Sequence, residues 1–266
     1  MTLDDWFARQ DAVVAENRAE FENEYRWLDS ALGLLTELQL FVNSDPTVNA
    51  IRRKMQAEDR VTYLATTLTV NLLNDAMGSL VSAIRLLLFG DLPDAYALVR
   101  SAFEACCYAE HFVYHKDKAE SYMELEVLLS TSNLSTALEV NLNPELRKRS
   151  LEFWRVSREL EKRSGNPVRG FYARLCNLGS HPSPKRIGLR LSPPGGAVLA
   201  PVSKSTATWS REKWTLGCAS DMIVVAKYAV EMLFEHHADW FASNPRLVDR
   251  CNSLAQEFES LENHSQ

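Results

Sequence analysis

The chain of 266 residues is 46% hydrophobic and contains only 10 glycines and 10 prolines, a composition that favours a compact, folded and helical protein. Its five cysteines are odd in number and form no CxxC pair, which argues against a disulfide framework and against a thiolate metal site. The net charge of -6 disfavours a protein that coats nucleic acid without sequence preference.

Neither the N-terminus nor the apolar runs resemble a targeting or membrane-spanning segment. The first fourteen residues are charged from Asp4 onward and lack the apolar centre of a signal peptide. The longest apolar runs are shorter than the roughly 20 residues that cross a bilayer, and the run around Arg85 contains a charge. We therefore expect a cytoplasmic protein with no membrane partner.

The first half of the chain has strong helical periodicity. Apolar residues recur at intervals of three and four through residues 3–42 and predict one long helix or two, before Pro46 begins a short helix. Residues 59–89 predict a helix of about thirty residues, ~45 Å long, that ends at Gly90. Asp91 can cap the next helix, 92–116. Because the link between these two helices is so short, they must be antiparallel.

The second half contains shorter helical segments and one irregular insert. Helices are predicted at 117–140 (two, divided near 130–133), 144–163 (ended by Gly165), 167–178 (closed by Gly179), 210–241 (capped by Ser210) and 245–262. Residues 182–208 contain five prolines and three glycines, and a loop this long inside a compact domain is usually functional or mobile. Within it, IGLRL and AVLAPV flank SPPGG and predict a small β-hairpin.

The predicted architecture is all-α, a helical bundle built on a long antiparallel helical hairpin. We expect a single domain, 1–266, whose core spans 59–241. Residues 182–208 form its Pro/Gly-rich insert, and 1–42 and 245–262 form flanking helices.

A polar stripe runs along the otherwise apolar helix predicted for 91–116. At about 100° per residue, five side chains fall within roughly 80° of one another. They are Arg100, Glu104, Tyr108, His111 and His115. Arg100 precedes Glu104, which is the weaker order for stabilising a single helix, so the pair is expected to act between helices. Either it belongs to an ion-pair network that fixes helix register, or Arg100 faces an anion.

Two histidines of the stripe have a spacing that metal sites use. His111 and His115 are four residues apart, so both imidazoles can reach one ion. No HExxH motif is present, and helix-borne carboxylates are too common to nominate a third ligand. We therefore predict neither a metal nor a cofactor, and interpret both histidines as partly exposed residues of an amphipathic helix.

Positive charge is concentrated between Val168 and Lys213. This window holds eight basic residues and one acidic residue, a charge of +7 that leaves -13 for the rest of the chain. Such a window suggests an anionic ligand, or else an acidic patch of the same chain or of a partner chain. The candidate anion-binding residues are Lys185, Arg186 and Arg190.

Arg174 and His181 are separated by six residues inside this window. An arginine can hold a phosphate bidentately, and a histidine can move a proton to or from a ribose 2′-hydroxyl, which is the chemistry of metal-independent RNA cleavage. Alternatively, His181 anchors the proline-rich loop, with its ring bonded to Glu104 or to a carbonyl. We predict Arg174 and His181 as a catalytic pair. The predicted supporting network is Arg100, Glu104, Tyr108, His111 and Tyr172.

Two segments carry a family resemblance. RSAFE at 100–104, followed downstream by FYARLCNLGSHPSP at 171–184, resembles bacterial members of the HEPN superfamily. The resemblance covers roughly residues 59–241. Its specific part consists of Arg100, Glu104, Tyr172, Leu175, Gly179, His181 and Pro182.

This resemblance implies a core of four or five helices and a homodimer that brings two Arg and His sets together. It also implies RNA or another phosphate-bearing ligand as the partner, with roles in RNA cleavage, toxin action or phage defence. Some members of the superfamily serve only as binding or dimerisation modules. The alternative function is therefore a non-catalytic homodimeric scaffold or interaction protein, and a bundle that binds a small ligand or a metal is a third.

Overall fold

The computed structural model describes residues 3–20, 22–89, 91–131, 152–179, 211–242 and 244–264. Every regular element in these ranges is a helix, so the all-α prediction is confirmed. The eleven helices of the described ranges are α1 (Leu3–Glu20), α2 (Glu22–Ser44), α3 (Pro46–Glu58), α4 (Arg60–Leu88), α5 (Leu92–Tyr114), α6 (Asp117–Thr131), α7 (Phe153–Ser164), α8 (Val168–Gly179), α9 (Arg211–His236), α10 (Ala238–Phe241) and α11 (Pro245–His264). The insert at 182–208, with its predicted β-hairpin, lies outside the described residues.

Aspartate caps separate the first long helices. Asp45 accepts hydrogen bonds from the backbone N–H groups of Thr47 (2.8 Å) and Val48 (3.2 Å) at the start of α3. Asp59 accepts one from the backbone N–H of Thr62 (3.0 Å) at the start of α4. These bonds satisfy N–H groups that have no partner within the helix. One residue therefore suffices to end each helix and begin the next.

Helices α4 and α5 form the predicted antiparallel hairpin and share the largest helix interface in the described chain. Near the open end of the hairpin, the Thr69 hydroxyl donates to the carbonyl of Ala109 (3.4 Å). The predicted side-chain cap is wrong, because Asp91 occupies the N-cap position without making a capping hydrogen bond. Helix α5 ends at Tyr114, two residues before the predicted end.

Helix α5 lies at the centre of the bundle. Its consecutive residues Cys106 and Cys107 are both fully buried. Because neighbouring residues of a helix point about 100° apart, two buried neighbours show that α5 is covered over a wide arc. None of the helices in the described ranges is both long and apolar enough to cross a lipid bilayer.

An aromatic cluster joins α5 to three later helices. Phe103 of α5 is nearly buried and lies among three rings, one from each of these helices. The centroid distances are 6.4 Å to Phe153 of α7, 4.7 Å to Phe171 of α8 and 6.1 Å to Tyr228 of α9. Helices α7, α8 and α9 therefore pack around the same part of α5.

Helix α7 begins later than the sequence predicts. A continuous helix from Pro144 is wrong, because Glu152 has an extended backbone and the helix starts at Phe153. The ring of Phe153 packs on Tyr108 (5.8 Å) and Tyr172 (4.2 Å), so tertiary packing fixes the direction of α7 from its first residue. Gly165 ends the helix as predicted, with a left-handed φ of 73° that glycine adopts without strain.

The long helix predicted to reach Phe241 is interrupted. Helix α9 ends at His236, and α10 is a separate single turn. Between them, His237 leaves the helical conformation, with φ -134° and ψ 36°. Its buried ring stacks on Trp240 at a centroid distance of 4.3 Å. The two buried, stacked rings thus lie where the sequence predicts an uninterrupted helix.

The end of α8 lies directly against the backbone of α5. A Cβ atom at Gly179 would lie 2.5 Å from the nitrogen of Ala97 and 2.7 Å from the carbonyl carbon of Tyr96. No side chain fits in such a contact, so glycine is required there for packing rather than for its backbone angles. The contact fixes the end of α8 beside the first half of α5.

Candidate functional site

The polar stripe of α5 faces α7 and α8. Tyr172 of α8 makes hydrogen bonds with Glu104 and Cys176. Arg100 Nε lies 3.4 Å from Glu104 Oε1. Burial raises the pKa of Tyr172, and these two hydrogen bonds raise it further, so the phenol stays protonated at neutral pH and can donate to the carboxylate. Three of the predicted supporting residues thus meet in one network between α5 and α8.

Tyr108 lies one turn further along the stripe. Its ring packs against Tyr122 (6.4 Å) and Phe153 (5.8 Å), and burial raises the pKa of its hydroxyl. It therefore extends the aromatic core between α5, α6 and α7. The negative charge of Glu104 raises the pKa of this hydroxyl further.

The two histidines at the end of the stripe converge on Glu159 of α7. Glu159 Oε2 lies 3.4 Å from His111 Nδ1 and 3.4 Å from His115 Nε2. The predicted partial exposure is correct for His115, whose side chain is 33% exposed, and wrong for His111, which is 2% exposed. Burial lowers the pKa of His111 to about 4, so its imidazole is neutral at pH 7.

Both ring nitrogens of His111 are buried and make no hydrogen bond. Most buried polar atoms in proteins have a hydrogen-bond partner, so these two nitrogens need an explanation. Within the described ranges, His111, His115 and Glu159 are the one group of three side chains whose donor atoms are close enough to hold a metal ion.

Arg174 pairs with a residue of α9. Its guanidinium donates to the carboxylate of Asp221, which is buried, and lies over the ring of Phe171 at 4.9 Å. Burial raises the pKa of Asp221 to about 6, although Arg174 opposes the shift. Arg174 favours the ionised form of Asp221, which accepts the hydrogen bond from the guanidinium. The Arg174 side chain is nevertheless 55% exposed, so it presents its other N–H groups to solvent.

The described site residues fall into two groups on opposite sides of α8. Arg174 and Tyr172 are two positions apart, about 200° around the helix, so one faces α9 while the other faces the stripe of α5. Tyr96 of α5 lies on the Arg174 side of α8, close enough for the charges of Arg174 and Asp221 to act on its hydroxyl. The remaining predicted site residues lie outside the described residues; they are His181, Lys185, Arg186 and Arg190.

Two residues of the site escape sequence reasoning. Asp221 does leave a signal, because it is the only charged residue between Lys213 and Lys227 in an otherwise apolar segment. A lone charge in such a segment usually has a partner in the fold. Glu159 leaves no signal, because it is one of many charges on α7.

A cleft of about 640 Å³ opens between α5, α7, α8 and α9. Its floor is aromatic, and the Tyr228 hydroxyl donates to Glu110 within it. The charged residues that line it are Glu110, Glu231 and Glu235 against Arg163 and Lys227. Carboxylates outnumber cations there, so the cleft disfavours a phosphate ligand.

Two arrangements among the described residues can therefore support chemistry. One is Arg174 held by Asp221 between α8 and α9, and the other is the group of His111, His115 and Glu159 between α5 and α7. No protein-family model, curated protein or solved structure matches the chain.

Proposed function

We propose that the protein is a cytoplasmic, homodimeric, HEPN-like endoribonuclease that acts on RNA, or on another phosphate-bearing ligand, without a metal ion. The observation that supports this most is the state of Arg174. Buried Asp221 orients its guanidinium, yet more than half of the side chain is exposed. A fixed, exposed guanidinium has donors left for a phosphate.

We propose that His181, which follows the end of α8 in the sequence, acts on the same ligand as this arginine. Gly179, in contact with α5 at Tyr96, is two residues before His181, and two residues span at most about 7 Å. Tyr96 is in turn close enough to Arg174 for the charge of the guanidinium to act on its hydroxyl. The proposal requires a ligand at this end of α8 to contact both members of the predicted pair.

The chemistry follows from these two side chains. Arg174 binds a non-bridging oxygen of the scissile phosphate and balances the charge that develops on it. His181, as a neutral imidazole, takes the proton of the ribose 2′-hydroxyl. The 2′-oxygen then bonds to phosphorus and the bond to the 5′-oxygen breaks, giving a 2′,3′-cyclic phosphate. In a homodimer, a second copy of His181, in its protonated form, can donate the proton that the departing 5′-oxygen requires.

Asp221 is a positioning residue in this scheme, because it acts only through Arg174. Lys185, Arg186 and Arg190 supply charge for the flanking phosphates. Such contacts make binding weaker as salt concentration rises.

An RNA cleavage assay in EDTA tests the proposal. Wild type should cleave, and Arg174→Ala and His181→Ala should each lose about 100-fold or more in rate, the contribution of a positioned acid–base or charge-stabilising group. The matched control is Arg169→Ala, because Arg169 lies on the same helix, is 59% exposed and pairs with Glu161. Equal loss in the control, or intact RNA in every sample, would refute catalysis at Arg174 and His181.

One observation favours the alternative, a non-catalytic homodimeric scaffold. Arg174 already has a carboxylate partner, and an ion pair that joins α8 to α9 is sufficient reason for both residues. The scaffold predicts a folded dimer that leaves RNA intact in EDTA. It also predicts that Arg174→Ala lowers the melting temperature without changing any activity. Light scattering gives the mass in solution, and a monomer would contradict both functions as stated.

A further inference from the structure

In the group of His111, His115 and Glu159, the two distances to the carboxylate match the edge of a tetrahedral metal site. One donor atom from each residue lies within 4.8 Å of the other two. Around a zinc ion with bonds of about 2.0–2.1 Å, neighbouring donor atoms are roughly 3.3–3.4 Å apart. The two distances from Glu159 Oε2, 3.4 Å to His111 Nδ1 and 3.4 Å to His115 Nε2, match that edge.

His111 supplies an independent reason to expect a ligand here. Its side chain is 2% exposed, and neither ring nitrogen has a hydrogen-bond partner. A purely structural ring at this position would be better replaced by a phenylalanine, which has no polar atoms to leave unpaired. Because Nδ1 is the nitrogen closest to Glu159, a bond from Nδ1 to an ion between them would give one of the two nitrogens a partner.

The charges around the group also favour a cation. Two carboxylates, Glu159 and Asp117, favour positive charge at His111, whereas Lys118 and the neighbouring imidazole of His115 oppose it. With His115 deprotonated, as a metal ligand must be, the other three groups sum to one negative charge. Glu159 and His115 remain 49% and 33% exposed, which leaves a path for an ion and for a bound water.

We infer that His111, His115 and Glu159 bind a divalent transition metal ion, with zinc the best match. Two imidazoles and one carboxylate are a known zinc ligand set, and a fourth position stays open to water. Magnesium and calcium prefer sites built of oxygen atoms, so the two nitrogens disfavour them. The ion would join α5 to α7, and it lies between different helices from Arg174 and Asp221, so it is independent of the proposed nuclease site.

Titration of the metal-free, full-length protein with ZnCl₂ in a calorimeter tests the inference. Wild type should bind one equivalent per chain, and zinc should raise its melting temperature because the ion binds only the folded state. His115→Ala and Glu159→Gln should each weaken binding by about 100-fold or more, since even an outer-shell partner is worth 10–100-fold. Both positions are partly exposed, so the variants are expected to fold, which circular dichroism checks.

The matched control is His236→Ala, because His236 is a half-buried histidine on α9 that packs on Tyr114. It should bind zinc with wild-type affinity. Cobalt gives a second readout, since its absorption spectrum distinguishes tetrahedral nitrogen and oxygen ligation from a hydrated ion. Absence of binding would overturn the inference. Zinc binding of equal affinity in wild type, His115→Ala and Glu159→Gln would overturn it too, because the ion would then be elsewhere.

Discussion

Replacing Gly179 by alanine should force the end of α8 away from α5. The new Cβ would lie 2.5 Å from the nitrogen of Ala97, whereas ordinary contacts begin at 3.4 Å, so the two backbones must separate by up to 0.9 Å (3.4 - 2.5). The atoms that obstruct it belong to the backbone of α5 and cannot rotate aside. The overlap can therefore be removed only if the whole end of α8 moves.

The expected cost is that of overpacking a core, about 1–3 kcal/mol. Alanine has a better helix propensity than glycine by up to about 1 kcal/mol, but Gly179 is the last residue of α8, where little of that gain applies. We expect a net loss of about 2 kcal/mol in the free energy of unfolding. In a protein of this size that corresponds to a melting temperature lower by about 4 °C.

Thermal and urea unfolding, followed by circular dichroism, measure this loss. Gly33→Ala in α2 is the matched control, because a Cβ atom there has no neighbour within 4 Å. In the interior of a helix it should stabilise the protein by about 0.5–1 kcal/mol. The same substitution is thus expected to have opposite signs at the two positions. If Gly179→Ala is as stable as wild type, the close contact between α8 and α5 is wrong.

Two further predictions concern a helix cap and a buried histidine. Asp45→Ala should cost about 1 kcal/mol in urea unfolding because it removes the cap of α3, whereas Asp45→Asn, which keeps a side-chain acceptor, should cost less; equal losses would contradict the assignment. Burial lowers the pKa of His237 to about 4, below the 6.5 of an exposed histidine, so between these pH values the unfolded chain binds more protons and stability falls as pH falls. His237→Gln should therefore remove about 3 kcal/mol of the difference in unfolding free energy between pH 7 and pH 4, and an unchanged difference would show that the folded histidine titrates normally.

Local signals explain what the sequence predicts correctly. The start of α3 at Pro46, the hairpin of α4 and α5, and the end of α7 at Gly165 depend on residues within one or two turns of the boundary. Proline, glycine and apolar periodicity act at that range. The polar stripe was likewise predictable, because a helix of known period fixes which of its own side chains share a face.

Long-range contacts explain what the sequence does not predict. Asp221 is 47 residues from Arg174, and Glu159 is on a helix that the sequence extends too far towards its start. Which side chain each carboxylate meets depends on how α7 lies against α5 and how α9 lies against α8, and helix periodicity does not contain those angles. The break at His237 has the same origin, because it depends on burial of the ring against Trp240.

The two adjacent free cysteines in the middle of α5 can report on how the helical bundle opens. Burial raises the pKa of the Cys106 thiol to about 12 and that of Cys107 well above its ordinary value, so neither reacts while α5 is enclosed. Cys176 is only half-buried and offers a comparison within the same molecule. Under native conditions, alkylation of Cys106 and Cys107 must wait for neighbouring helices to detach, and its rate reports the free energy of that opening. The opening of the centre of the bundle can thus be followed chemically without a mutation that introduces a probe.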